Sequence, residues 1–180
     1  VDRYGRYSIA LHWFMFAVVL AAYACIELRE LFPKGSDPRE ALKTWHYMLG
    51  LSVFLVVWLR VAVRVLEPRP APILGQPRWQ TAVASAMHLA LYALMVGMPI
   101  AGWLLLSAEG KAVPFFGLQL PPLIAENEAA AHRWEEIHET AGTIGYFLIG
   151  LHAAAALIHH YVLRDATLKR MLPRRASGSL

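Results

Sequence analysis

Eight histidines stand in a chain of 180 residues. Seven of them, His12, His46, His88, His138, His152, His159 and His160, fall in or beside long uncharged stretches. Ionisable groups in such stretches are rare and point to function. For an isolated one, a hydrogen bond to a neighbouring helix is an equal alternative. Spacing separates the two readings. His138 and His152 are fourteen residues apart. On an α-helix both rings then share one face within about 40°, roughly 21 Å apart along the axis. That separation is too long for one metal ion and suits two large cofactors stacked along one helix. Each needs a second axial ligand at matching depth. His46, at the start of a second apolar run, matches His138; His12, near the start of the first, matches His152. Neutral imidazole is a standard haem ligand. The spacing therefore points to two bis-histidine haems, with His46–His138 and His12–His152 as the iron ligands. His88 lies near the depth of the second pair and is the rival to His12. Two protein ligands leave the iron no open position, so such haems move electrons.

The remaining polar residues are placed relative to these pairs. Arg60 and Arg64 follow His46 by fourteen and eighteen residues. They face roughly its side, one haem level deeper and beyond, where they can pair with propionates or simply flank the membrane. His159 is about 20° off the face of His152 and roughly 10 Å further along. It is placed to bond a propionate or a quinone carbonyl. His160 points about 100° away and reads as interfacial, and His132 as solvated. Gly50, Gly142 and Gly145 lie on the histidine faces, where glycine lets a porphyrin approach or two helices pack closely. No Ser/His/Asp set or carboxylate pair lies within the apolar runs, so no catalytic residue is assigned.

Four helices must position these groups. Hydrophobic residues make up 57% of the chain and charged residues 17%, with mean hydropathy +0.41. An ordinary soluble domain carries about 25% charged residues. Disorder, collagen-like repeats and a disulfide-stapled fold are excluded. Four runs lack Asp, Glu, Lys and Arg: Ile9–Ile26, Thr44–Leu59, Trp79–Ala108 and Thr140–Leu163. Crossing a bilayer takes about 20 apolar residues. The second run reaches that length if it extends to Val65, with Arg60 and Arg64 snorkelling. The expected architecture is an all-α, integral membrane four-helix bundle in a single domain, residues 1–180. Its spans are expected at about 9–28, 44–65, 81–106 and 137–163. The segment Ala112–Ala125, broken by Pro114, Pro121 and Pro122, reads as an interfacial loop. The first run lacks a small-residue cleavage site and reads as a mature helix, not a signal peptide.

The net charge of +4 is an uneven sum. With both termini on one side, that side carries +8 and the opposite side −4. The positive-inside rule then places both termini in the cytoplasm. The short basic segment Lys169–Arg175 lacks interleaved aromatics, so nucleic acid is not an expected partner. Cys25 is the one cysteine, so no internal disulfide, CxxCH haem attachment or zinc–thiolate site exists. No GxGxxG, P-loop or GxSxG motif occurs.

Leu11–His12–Trp13, His46 after a charged loop, and Ile137–His138–Glu139–Thr140 through Gly145–Tyr146–Phe147 to Leu151–His152 and His159–His160–Tyr161 carry a resemblance. In these segments the chain resembles the bacterial cytochrome b561 family, most closely its short four-helix members of the superoxide oxidase type. The likeness covers nearly the whole chain and is most specific in the fourth helix. It implies an inner-membrane bundle with two b-type haems and axial ligands at His12, His46, His138 and His152, which favours His12 over His88. It further implies oxidation of periplasmic superoxide and reduction of ubiquinone, with His159 the candidate at the quinone site.

One feature pulls the other way. Superoxide is an anion, and the outer side carries −4, with Glu126, Glu128, Glu135, Glu136 and Glu139 beside His138. Lys34, Arg39, Lys43, Lys111 and Arg133 are the basic residues available to line an entry path. The alternative is an electron-carrier cytochrome b subunit whose acidic face docks a periplasmic donor protein.

Overall fold

The computed structural model of the chain describes residues 3–68, 70, 71, 73 and 76–173. Asp2, Arg69, Arg174 and Arg175, which enter the charge balance above, lie outside the described residues. Four long helices carry the fold: α1 Arg6–Leu28, α2 Asp37–Leu66, α3 Arg78–Ala108 and α4 Glu128–Tyr161. Their length follows from the uncharged runs. In hydrocarbon, every backbone N–H and C=O must find its partner inside the segment. Even α1, with 23 residues, is about 35 Å long, more than the ~30 Å hydrocarbon core. All four helices are long and apolar enough to cross a membrane.

Local sequence sets the ends. Pro38 occupies the first turn of α2, where its missing N–H costs nothing. Asn127 caps α4, its side chain accepting from the Ala130 N–H at 2.8 Å. Pro99 lies inside α3 and removes one rung of the hydrogen-bond ladder.

Large apolar side chains such as Leu20, Leu55, Trp58, Leu89, Phe147 and Leu151 point outward and stay exposed. A lipid-facing surface needs no polar coat. The core is small by comparison. Met15 and Val18 of α1 pack on Val53, Val56 and Val57 of α2, with Tyr92, Met95 and Val96 of α3 against them. Leu51, Leu106 and Val113 form a second cluster toward the end away from the termini. α1 packs along α2, α3 along α4, and α2 on α3. Between α4 and the α1–α2 pair lies a gap bridged by side chains. Tyr23 donates to the Gly142 carbonyl at 2.9 Å, and Tyr146 to Glu27 at 2.6 Å.

The segment expected as an interfacial loop contains a hairpin. β1 Val113–Phe115 pairs antiparallel with β2 Leu118–Leu120, Val113 opposite Leu120. The turn residues Phe116 and Gly117 have φ of +44° and +86°, the type I′ geometry that suits strand twist. Pro114 sits inside β1 opposite Gln119, and Pro121 and Pro122 follow β2; the pairing tolerates Pro114 because a two-stranded ladder has free edges.

Candidate functional site

The gap beside α4 is a continuous cavity of about 1370 Å³ running the length of the bundle. A drug-sized ligand site is about 300–1,000 Å³, so this space suits more than one such group. His12, His46, His88, His138 and His152 all line it. At the end away from the termini, the His46 and His138 ring centroids are 6.1 Å apart, with planes at 83°. Nearer the termini, His12 and His152 are 6.2 Å apart, at 66°. A metal–imidazole bond is about 2.0 Å, so two rings facing one ion from opposite sides have centroids near this separation. Among the described residues no three His, Cys, Asp or Glu side chains group around a single metal point. What the fold brings together at each level is a pair.

The surroundings of each ring decide which nitrogen is available. His46 Nδ1 is 2.8 Å from the Ala22 carbonyl oxygen. A carbonyl only accepts, so Nδ1 carries the hydrogen and Nε2 keeps its lone pair. His138 Nδ1 is buried beside the Met98 carbonyl without a bond of good geometry. His12 is held in the opposite way. Arg60 Nη1 lies 3.2 Å from His12 Nδ1, and a guanidinium only donates. In this arrangement Nδ1 is the acceptor.

His88 is brought as close to His152 as His12 is, with ring centroids 5.4 Å apart. Arg60 and Arg64 of α2 line the cavity at this level. His159 lines its end near the termini, its Nδ1 donating to Asp165 Oδ2 at 2.5 Å. His160 does not line the cavity and has a buried Nδ1 without a partner. His132 is exposed, 3.8 Å from Glu136.

The glycines divide into different roles. A Cβ at Gly50 would meet nothing within 4 Å, which leaves that face open to a flat ligand. Gly145 instead makes room for the Tyr23 hydroxyl of α1, which occupies the place a Cβ would take. It therefore serves helix packing and not porphyrin approach. Spacing along the chain does not reveal Gly102. A Cβ there would lie 3.1 Å from His138 Cε1, so its bareness lets the ring seat against α3. Asp165 is hidden from spacing as well, because it follows the end of α4 and reaches His159 only through the fold of the turn.

Of the basic residues named for an entry path, Lys43 and Lys111 line the cavity. Arg39 is buried and committed to the Arg29 and Phe32 carbonyls and to Glu30. Lys34 and Arg133 are not among the lining residues. Lys111 pairs with Glu109 at 3.0 Å, and that hydrogen bond holds its ammonium above the usual lysine range. Glu27, Glu30, Glu109, Glu135 and Glu139 share the same end.

Facing imidazoles at two levels, a ring with its Nδ1 anchored to a carbonyl, and a cavity of this volume together fit haem. Comparison with known proteins agrees. The family model of prokaryotic cytochrome b561 matches residues 3–174. The chain is 38% identical over 175 residues to cytochrome b561 homolog 1 of Escherichia coli K12, covering 97% of this chain and 99% of that one. It is 33% identical over 174 residues to a probable superoxide oxidase CybB of Yersinia pestis, covering 96% and 97%. Cytochrome b561 homolog 2 of Escherichia coli K12 is 30% identical over 177 residues, covering 98% and 94%. With four membrane-length helices around a histidine-lined cavity and likeness along nearly its whole length, the chain belongs to the prokaryotic cytochrome b561 family, haem b electron carriers that cross the bacterial inner membrane several times.

Proposed function

We propose that the chain holds two b-type haems and moves electrons from periplasmic superoxide to ubiquinone. One haem is held by His46 and His138, the other by His12 and His152. The observation that carries this is the near-equal spacing of the two imidazole pairs, 6.1 and 6.2 Å, at two depths of one cavity. The excess of Lys and Arg at the termini end supports cytoplasmic termini, which makes His46–His138 the periplasmic pair. Residues 1–180 act as one transmembrane unit, with spans near 9–28, 44–65, 81–106 and 137–163.

Bound haem supplies a one-electron carrier at each level. Two superoxide ions each lose one electron and leave as dioxygen; one ubiquinone gains both electrons and two protons and leaves as ubiquinol. The residues hold, orient and screen. The Ala22 carbonyl fixes the His46 ring. Arg60 and Arg64 would pair with propionates of the inner haem. Engaged there, Arg60 would no longer donate to His12 Nδ1, and that ring could take the tautomer that His46 already has. His159 hydrogen-bonds the quinone at the cytoplasmic end. The name of the Yersinia pestis relative supports the superoxide reading.

A second reading rests on the acids lining the outer end, Glu27, Glu30, Glu109, Glu135 and Glu139. They would dock a basic periplasmic donor protein, and the chain would then be an electron-carrier subunit. Stopped-flow mixing of oxidised holoprotein with superoxide separates the two. The first reading expects haem reduction faster than in an unrelated bis-histidine cytochrome, with ubiquinol formed under steady superoxide generation. Reduction no faster than in that control transfers the assignment to the second reading.

A further inference from the structure

The hairpin between α3 and α4 breaks a local rule at its tip. Phe116 and Gly117 form the turn with φ of +44° and +86°. A type I′ turn needs a positive φ at both central residues, and asparagine or glycine normally supplies it. Gly117 fits that need. Phe116 does not, because a bulky side chain in the left-handed region is strained. A turn rule broken in this way points to a role for the side chain itself.

One face of the hairpin is occupied by protein. Val113 is buried with Leu51 of α2 and Leu106 of α3, and Phe115 and Leu120 pack against that cluster. Val113 also lines the cavity. The tip docks on the outer turns of α2. The Phe116 N–H donates to Met48 Sδ at 3.3 Å, and the Phe116 ring meets the Trp45 ring edge-on, with centroids 6.2 Å apart. Beyond these contacts the tip is uncovered: Phe116 is 55% exposed, Leu118 63% and Trp45 49%. No charged residue occurs from Ala112 to Ala125. This uncovered patch continues a surface that lipid already covers. Trp45, Leu55 and Leu59 fall within about 80° of one another around α2. All three are exposed on a helix of membrane length. Trp45 stands near the start of the uncharged run of α2, the depth at which aromatic side chains gather between hydrocarbon and water. Phe116 extends that lipid face at its outer end.

We propose that the hairpin tip, Phe116 and Leu118 beside Trp45, is a membrane anchor seated in the lipid leaflet at the end away from the termini. Moving the Phe116 ring out of water offsets the strain of its backbone. Asparagine would suit the turn better and would give the leaflet nothing to hold. Anchored at its tip, the hairpin stays against α2 and keeps Val113 in the wall of the cavity.

The test is nitroxide accessibility in full-length holoprotein, in nanodiscs of phosphatidylethanolamine and phosphatidylglycerol. Single labels go on Phe116→Cys and Leu118→Cys in a Cys25→Ser background, since Cys25 is the one native cysteine. Lys34→Cys, in the loop before α2, is the water reference, and Leu55→Cys the lipid reference. Haem content measured as pyridine haemochrome confirms that each variant assembles. The ratio of oxygen to nickel-chelate accessibility at 116 and 118 should be several-fold above that at 34 and approach that at 55. Adding Phe116→Asn to the Leu118→Cys variant should move its label toward the water value, although asparagine suits the turn. Labels at 116 and 118 as open to the nickel chelate as the one at 34 would place the tip in water and overturn the proposal. Labels screened from both reagents would mean that a second copy of this chain covers the tip, and would overturn it equally. An unchanged ratio at 118 in the Phe116→Asn variant would remove Phe116 as the anchor.

Discussion

His46 Nδ1 lies 2.8 Å from the carbonyl oxygen of Ala22 on the neighbouring helix. One backbone oxygen on α1 thereby orients a side chain of α2 toward a side chain of α4. Such a bond fixes both the ring plane and the tautomer of a ligating histidine. His12 lacks this arrangement, because its Nδ1 faces the Arg60 guanidinium. The two histidine pairs are alike in spacing and unlike in how they are held.

The outer pair should be separable from the inner. His46→Ala or His138→Ala is expected to lower the haem content from two per chain to one, with the remaining haem still reducible. Pyridine haemochrome stoichiometry with a redox titration measures this. Full haem content in either variant would remove that residue from the ligand set.

At the inner level His12 and His88 compete for one role, since both flank His152. His12→Ala should lose one haem. His88→Ala should retain both, with a shifted potential for the inner one. The reverse pattern would make His88 the ligand.

Tyr23 and Gly145 should be energetically coupled. The Tyr23 hydroxyl fills the place of a Gly145 Cβ and donates to the Gly142 carbonyl. Gly145→Ala is expected to destabilise the bundle by about 1–3 kcal/mol through overpacking. Tyr23→Phe, which removes that hydroxyl, should recover part of the loss in the double variant. A strictly additive double-mutant cycle in thermal or denaturant unfolding would contradict the contact.

Gly102→Val would push a side chain into His138, whose Cε1 is already 3.1 Å from an added Cβ. The expected outcome is a changed spectrum and potential for the outer haem with the inner one intact. Equal perturbation of both haems would contradict so local an effect.

Lys111 gives a charge test. Its ammonium is held above the usual lysine range by Glu109. The folded value is raised, so the stabilisation is complete below the free lysine value of about 10.4 and disappears as pH rises through the folded value. The Lys111 side chain is 57% exposed, and solvent screening limits the pair to less than about 1 kcal/mol. Lys111→Gln should therefore change the melting temperature slightly at neutral pH and not at all at strongly alkaline pH. It should also slow superoxide-driven haem reduction several-fold at low salt. Arg133→Gln, away from the cavity, should leave that rate unchanged.

Much of this architecture is legible in the sequence because a membrane helix is a local object. Uncharged runs of bilayer length place the four helices, and 1.5 Å and 100° per residue put His138 and His152 on one face of α4. The same arithmetic sets His46 and His12 at matching depths. It cannot give the rotation of one helix about its axis relative to another. That rotation emerges from packing such as Met15 and Val18 against Val53, Val56 and Val57. It brings His88 within reach of His152, seats His138 against Gly102, and gives Gly145 to Tyr23 and not to a cofactor face. Short turns are likewise closed to periodicity. Phe116–Gly117 reverses a hairpin inside a proline-broken segment, and Arg164 turns Asp165 back onto His159. The sequence by itself determined the four helices and the height of each histidine along its own helix, since both follow from distances along one helix. Only the tertiary structure decided how each ring is turned, that His88 also reaches His152, and what holds each ring in place, since those depend on contacts between helices distant in the chain.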